Sequence, residues 1–362
     1  MTTRFRLGIT QGDINGIGYE VIMKTLMDER MLSMCTPVVY GSPKVAAYHR
    51  KALNVEKFTF TPIKSAEEAV SRKDSVSIVN CMDDEVRVEL GHSTEVGGAG
   101  ALAALNAAVA DLKAGHIDAL ITAPINKHNI QSESFRFVGH TEFLAQAFDV
   151  PESDTLMLMV GEVFRVGVVT GHIPLSQVSK TLTKELVLSK IRAMSNALCN
   201  DFGIRKPRVA VLGLNPHAGD NGLLGLEERE VIQPAIEAAN AEGLVAMGPY
   251  PADGFFGSDG FSRFDGVLAM YHDQGLVPFK ALNFDTGVNY TAGLPVVRTS
   301  PAHGTAYDLT GRNLANPSSF RQAVYLAIDI LRQRDEQAKI SANPLRPQSA
   351  RRERGERPDR PE

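Results

Sequence analysis

Short apolar runs alternate with stretches of helical periodicity along most of this chain. Leu7-Gly8-Ile9, Pro37-Val38-Val39-Tyr40, Val76-Ser77-Ile78-Val79, Ala119-Leu120-Ile121-Thr122, Val209-Ala210-Val211-Leu212 and Val267-Leu268-Ala269-Met270 read as strands. Phe58-Thr59-Phe60 reads as a shorter one. Helical stretches are predicted near 19–31, 43–53, 98–114, 176–200, 227–241 and 318–334, the last from Phe320, Val324, Ala327, Ile328 and Leu331. Leu156-Met157-Leu158-Met159-Val160 and Phe164-Arg165-Val166-Gly167-Val168-Val169 read as strands paired across Gly161-Glu162. Residues 248–253 read as a loop, and 291–298 as one strand ending in Arg298. Buried strands alternating with helices predict an α/β fold with a mostly parallel sheet. No linker divides the chain, so its domains are expected to be discontinuous, the N- and C-terminal parts sharing one lobe.

Composition narrows the class. The 362 residues are 43% hydrophobic and 22% charged, with a net charge of −4. That balance gives no global basic field for nucleic acid or an anionic membrane. Cys35, Cys81 and Cys199 are far apart and form no CxxC pair, which argues against a disulfide framework or a thiolate metal site. The first residues lack the apolar core of a signal peptide, and no apolar run reaches the roughly 18 residues of a membrane span. A cytoplasmic location is expected. Residues 341–362 are rich in Arg, Pro and acidic residues, with Leu345 the only large aliphatic, so a disordered tail is expected there.

The candidate chemistry sits just past strand ends. His172, His217 and His272 each follow an apolar strand, at separations of 45 (172 to 217) and 55 (217 to 272) residues. If those strands are parallel neighbours, the imidazoles share one sheet edge and could hold a divalent metal with an open position. Lys280 and Arg298, with Asn289 between them, could hold a phosphate or carboxylate; Lys280 is read at a loop end. His140-Thr141 at a helix start could grip an anion, although an N-cap role alone would explain Thr141. Asp253, Asp273 and Lys280 are candidate bases, and a carboxylate beside a ligating histidine could orient its ring. The turn Gln11-Gly12-Asp13-Ile14-Asn15-Gly16-Ile17-Gly18 is either a phosphate cradle or a tight turn with Asp13 capping the next helix.

Several runs recur together: Gly12-Asp13-x-x-Gly16-Ile17-Gly18, Thr122-Ala123-Pro124-Ile125-Asn126-Lys127, Gly139-His140-Thr141-Glu142, His172-Ile173-Pro174-Leu175, Leu214-Asn215-Pro216-His217-Ala218-Gly219, Tyr271-His272-Asp273-Gln274-Gly275 and Thr299-Ser300-Pro301-x-His303-Gly304-Thr305-Ala306. With them the chain resembles the 4-hydroxythreonine-4-phosphate dehydrogenase family of pyridoxal phosphate biosynthesis over about residues 5–335. The resemblance implies two α/β/α lobes with a cleft between them, as in isocitrate and isopropylmalate dehydrogenases. Its lobes would be 1–130 plus 285–340, carrying the NAD segment, and 131–284, carrying the metal ligands and dimer contacts. It also implies a homodimer with shared active sites and a small phosphorylated substrate. The cofactors would be NAD or NADP and a divalent Zn, Mg or Co ion. By that likeness His172, His217 and His272 hold the metal, His272 serving the neighbouring subunit. His140, Thr141, Lys280, Asn289 and Arg298 contact substrate, and His303, Gly304, Thr305, Asp308 and Asn316 belong to the NAD segment. The implied reaction oxidises and decarboxylates 4-phosphooxy-L-threonine. Ile14, Asn15, Tyr19 and Gly254 depart from the usual family pattern, which keeps a threonate or erythronate 4-phosphate as an alternative substrate. A non-catalytic phospho-ligand binder is the remaining rival.

Overall fold

The structure, a computed structural model, describes residues 4–69, 75–83, 85–133 and 135–342. Its strands are β1 (Phe5–Thr10), β2 (Cys35–Gly41), β3 (Thr59–Ile63), β4 (Ser75–Asn80), β5 (Ala119–Thr122), β6 (Leu156–Val160), β7 (Arg165–Thr170), β8 (Arg208–Leu212), β9 (Val245–Tyr250), β10 (Gly266–Tyr271), β11 (Val288–Ala292) and β12 (Val297–Pro301). Its α-helices are α1 (Gly18–Leu26), α2 (Glu29–Met34), α3 (Pro43–Ala52), α4 (Glu95–Ala114), α5 (His140–Ala147), α6 (Leu175–Thr181), α7 (Lys184–Asn200), α8 (Gln233–Ala241), α9 (Ala252–Gly257), α10 (His272–Asn283) and α11 (Ser318–Ser341). All strands join one 12-stranded sheet in the order β3-β4-β2-β1-β5-β12-β11-β6-β7-β10-β8-β9. Helices cover both faces of its flanks, which explains why Leu7, Ile9, Leu120, Ile121, Val211 and Leu268 are all fully buried.

The sheet is parallel on its two flanks and antiparallel at its centre, where β12, β11, β6 and β7 pair in alternating directions. The expectation of a mostly parallel sheet therefore holds, with the antiparallel pairs confined to these four central strands. The segment 291–298 is not one strand. Gly293, at φ +87°, turns β11 into β12, and a Cβ there would lie 2.2 Å from the Asp154 carbonyl oxygen. Arg298 is therefore the second residue of β12 and not a strand end. Asn289 pairs with Met159 and Ser300, and Thr291 with Met157. With period-2 alternation these side chains, together with Arg298, share one face of the central strands.

Other elements also differ from the pattern-based expectation, each for a local reason. The 19–31 stretch breaks into α1 and α2 because the Asp28 side chain accepts the Arg30 backbone N–H and starts a new helix. Likewise 176–200 breaks into α6 and α7, with Thr183 accepting the Leu186 N–H. Residues 248–253 are strand β9 and the start of α9 and not a loop; Pro249 is tolerated because β9 is the sheet's last strand. Lys280 lies inside α10, not at a loop end. Gly275 and Pro278 disguise that helix, yet the glycine lets it seat closely, since a Cβ there would meet Val166 Cγ2 at 2.9 Å. The expected tail lies, beyond Ala342, outside the described residues. Among the described residues no helix is long and apolar enough to cross a membrane.

The central strands are tied to the helices by a buried polar link. Asp201, 5% exposed at the side chain, accepts Tyr290 Oη at 2.6 Å and Arg334 Nε at 2.7 Å, and Arg334 also donates to Tyr290 Oη at 3.1 Å. Tyr290 stands between Asn289 and Thr291, so this link fixes the register of the polar face. Replacing Arg334 with Ala leaves Asp201 without its cation and should lower the unfolding free energy by about 3 kcal/mol. Urea unfolding checks this; a loss below ~1 kcal/mol would mean that Tyr290 alone holds Asp201.

Candidate active site

The floor of the site is a buried cation. Arg298 is 3% exposed and donates from Nη2 and Nε to Thr122 Oγ1, at 2.7 and 3.2 Å, and from Nη1 to Thr291 Oγ1 at 3.2 Å. Among the described residues no carboxylate hydrogen-bonds it. Burial pulls its pKa down to about 10, with Glu142 opposing, so it stays charged at neutral pH. A buried cation satisfied only by neutral hydroxyls is costly. An anion in the adjoining cavity, about 230 Å³ in volume, would complete it.

Helix α5 forms one wall. Its N-cap is Gly139, with no side-chain cap, so Thr141 is not the cap. Instead Thr141 Oγ1 lies 3.4 Å from Thr291 Oγ1. Nε2 of His140 is buried without a hydrogen-bond partner. Burial, then the charges of Arg298 and Lys127, holds this imidazole well below its ordinary pKa, hence neutral at pH 7. A neutral ring can still donate one N–H to an anion. Helix α10 forms the opposite wall, presenting His272, Leu276 and Lys280 to the cavity at i, i+4 and i+8.

His172, His272 and His217 follow the adjacent parallel strands β7, β10 and β8. The structure brings only the first two together, with ring centroids 5.5 Å apart. The resemblance gives His272 to a partner's site; within this single chain it faces its own His172. His272 Nδ1 lies 2.7 Å from Asp273 Oδ1, and His172 Nδ1 lies 3.8 Å from Glu142 Oε1. Asp273 is within hydrogen-bond distance of the His272 imidazole, the arrangement that orients a metal-ligating histidine, whereas Glu142 stands farther from His172. Lys127 Nζ meets His172 Nε2 at 2.9 Å. His217 does not join them. It is exposed, in a run of left-handed residues from His217 to Gly222, anchored where Glu228 Oε1 accepts the Leu214 and Asn215 N–H groups, both at 2.7 Å. Among the described residues no three His, Cys, Asp or Glu side chains close around one point. Asp253 is exposed on α9 and does not line the cavity, and Asp273, 74% exposed, reaches it only through His272.

Four residues of the site escaped the residue-by-residue reading. Lys127 and Glu142 line the cavity, and Thr122 and Thr291 hold Arg298. Lys127, Thr122 and Glu142 lie within the recurring runs quoted above, which was the available signal. Thr291 carried none until β11 and β12 were resolved as separate strands. Glu142 Oε2 and Asn289 Oδ1 are buried acceptors without partners.

A second cavity, about 370 Å³, adjoins the first through shared Lys280, Ala302, His303 and Gly304, and reaches Ala306, Leu309 and Asn316. His303 Nε2 is buried without a partner, and burial lowers the pKa of this ring. Asp308 is exposed, and Asn316 Nδ2 donates to Asp285 Oδ1 at 3.1 Å. The Thr305 carbonyl accepts the Ile17 N–H at 3.1 Å. The turn from Gln11 to Gly18 is buried throughout, which rules out an open phosphate cradle. Nor does Asp13 cap α1, whose N-cap is Ile17.

Fold and site define an α/β protein with a cleft, floored by a buried cation, on the antiparallel centre of its sheet. The chain matches the family described as "Pyridoxal phosphate biosynthetic protein PdxA" over residues 33–327, and it belongs to that family. It is 55% identical to a 4-hydroxythreonine-4-phosphate dehydrogenase of Bacteroides thetaiotaomicron, over 95% of this chain and 94% of that protein. It is 36% identical to a protein of Cutibacterium acnes named "Putative D-threonate 4-phosphate dehydrogenase", over 90% of this chain and 94% of that one. The crystal structure of 4-hydroxythreonine-4-phosphate dehydrogenase from Klebsiella pneumoniae superposes with a TM-score of 0.79 at 33% identity, covering 90% of this chain and 99% of that one.

Arg298→Met should weaken binding of a phosphorylated ligand at least about 100-fold, since it removes a desolvated charge from the anion's contacts. Calorimetry with the ligand measures it, and a change under fivefold would remove Arg298 from the site. His49, His140 and His303 all have folded pKa values below the ordinary 6.5 through burial. Below pH 6.5 the unfolded chain binds protons that these rings refuse, so stability falls as pH falls through that window. Thermal unfolding across the window checks the sign, and His49→Gln should flatten the slope.

Proposed function

We propose that this chain oxidises 4-phosphooxy-L-threonine with NAD, in a divalent-metal-dependent reaction. The product, 2-amino-3-oxo-4-(phosphooxy)butanoate, would lose carbon dioxide to give 3-amino-2-oxopropyl phosphate. The observation that carries this is Arg298, a buried cation lacking an anion, in a cleft it shares with two neighbouring imidazoles, His172 and His272. The relatives' printed name supplies the substrate.

The phosphate is held by Arg298, Thr141, His140 and Lys280, with Asn289 beside them. His172, His217 and His272 would hold the ion, His272 serving the site of the neighbouring subunit. The ion, Zn, Mg or Co, would lower the pKa of the substrate hydroxyl and stabilise negative charge as carbon dioxide leaves. NAD or NADP would lie along His303, Gly304, Thr305, Asp308 and Asn316 and accept the hydride. Of the candidate bases, Lys280 is the one that lines the cavity; Asp273 orients His272, and Asp253 lies outside. A homodimer with shared sites is part of this reading, as are the lobes 1–130 plus 285–340 and 131–284, with the seam between β11 and β6.

The second reading is a dehydrogenase for a threonate or erythronate 4-phosphate, favoured by the Cutibacterium acnes relative. A substrate panel separates the two. With NAD reduction followed by absorbance, 4-phosphooxy-L-threonine should exceed the sugar-acid phosphates in kcat/KM by at least about tenfold. The reverse order would replace the first reading by the second. His217→Ala should abolish metal-dependent turnover, and full activity after chelation would remove the metal from the mechanism.

A further inference from the structure

Asp13 touches neither cavity, yet it joins the segments that line them. It is 1% exposed, and among the described residues no Lys or Arg hydrogen-bonds it. Its Oδ1 accepts the Asn15 N–H at 2.9 Å; its Oδ2 accepts Asn129 Nδ2 and Tyr307 Oη, both at 2.7 Å. The first turn of α4 abuts it, since a Cβ on Gly97 would lie 2.8 Å from Asp13 Oδ1. The positive end of that 20-residue helix therefore supports the carboxylate in place of a cation. The backbone N–H of Asp13 donates to the Pro124 carbonyl at 2.9 Å.

These bonds clamp two functional segments onto one turn. Residues 124–129 carry Lys127 into the first cavity, and residues 303–307 carry His303 into both. The Ile17 N–H to Thr305 bond adds a second tie on the same side. Asn15, two residues on, pins the 89–94 loop, accepting the Glu89 N–H at 2.8 Å and donating to Thr94 Oγ1 at 2.9 Å.

We infer that Asp13 and Tyr307 are positioning residues: their hydrogen bond sets the 303–308 segment against the segment bearing Lys127, so that dinucleotide and substrate are held in register. The inference rests on the reading of 303–308 as the cofactor segment. Tyr307→Phe keeps the ring and removes the hydroxyl that donates to Asp13. In the full-length protein it should raise the NAD dissociation constant about fivefold by calorimetry. The affinity for 4-phosphooxy-L-threonine should stay within about twofold. Amide exchange should quicken in peptides covering 303–310 and not in the sheet. Asp13→Asn should act in the same direction, and the double variant should be no worse than Asp13→Asn alone, because the Tyr307 bond is among those that Asp13→Asn already disturbs.

Unchanged NAD affinity with unchanged exchange would overturn the inference. So would equal weakening of both ligands, the mark of a merely structural role. If the wild-type protein binds no NAD, the cofactor reading fails. The exchange result then decides alone: faster exchange confined to 303–310 in Tyr307→Phe supports the clamp, and no change overturns it.

Discussion

A guanidinium buried on two threonine hydroxyls is the constraint around which this molecule is arranged. Arg298 has the desolvation of a core residue and the partners of a surface one. Such a group persists only if the surrounding structure is rigid enough to impose it. The rigidity comes from the antiparallel centre of the sheet. Reversing direction at β12, β11, β6 and β7 lets Arg298, Ser300, Asn289 and Thr291 stand on one face in fixed register. A wholly parallel sheet would have needed a helical crossover over each strand, covering that face. The reversal leaves the face open as a cleft floor, with α5 and α10 as its walls.

Much of this was legible in the sequence, because buried strands and amphipathic helices write their period into the chain. The hairpin across Gly161-Glu162, the flanking strands and the closing helix follow directly from it. The misreadings share a cause: decisive residues act through tertiary contacts that leave no periodic trace. Gly293 marks a turn only once its clash with Asp154 is seen, so Arg298 looked like a strand end. Gly275 and Pro278 argue against a helix locally, yet α10 forms because the glycine lets it seat against Val166. Asp13 looked like a helix cap by spacing. Its real partners, Asn129 and Tyr307, lie 116 and 294 residues away.

The strand-end logic for the histidines succeeded in part, and the exception is informative. His172, His217 and His272 do follow neighbouring strands. Adjacency fixes where a loop begins but not which way its backbone turns. After β8 the chain enters left-handed conformations at His217, Ala218, Asp220 and Asn221, each costing of order 1 kcal/mol for a residue other than glycine. Glu228 holds the start of that loop through three hydrogen bonds to Leu214 and Asn215. The strain is thus imposed from the core side and borne at the exposed end, where His217 sits. A ligand that drew on His217 would act on the least restrained part of the site.

The polarity of the cavity bears on the choice between a binder and an enzyme. A site made only to hold phosphate needs cations and N–H donors. Arg298, Lys280 and Lys127 supply the cations here, with His140 beside them. Yet Glu142 Oε2 and Asn289 Oδ1 are also buried in the same cavity without partners. Left empty-handed, each such acceptor costs roughly 1–3 kcal/mol. A carboxylate beside a phosphate site would also repel the anion that Arg298 attracts. These acceptors make sense against a ligand that carries hydrogen-bond donors as well as phosphate, such as a hydroxyl or an amine. A phosphorylated hydroxy acid, the substrate class proposed above, would carry both: a phosphate for Arg298 and a hydroxyl to donate to these acceptors. Simple retention of an anion would leave half of these groups unexplained.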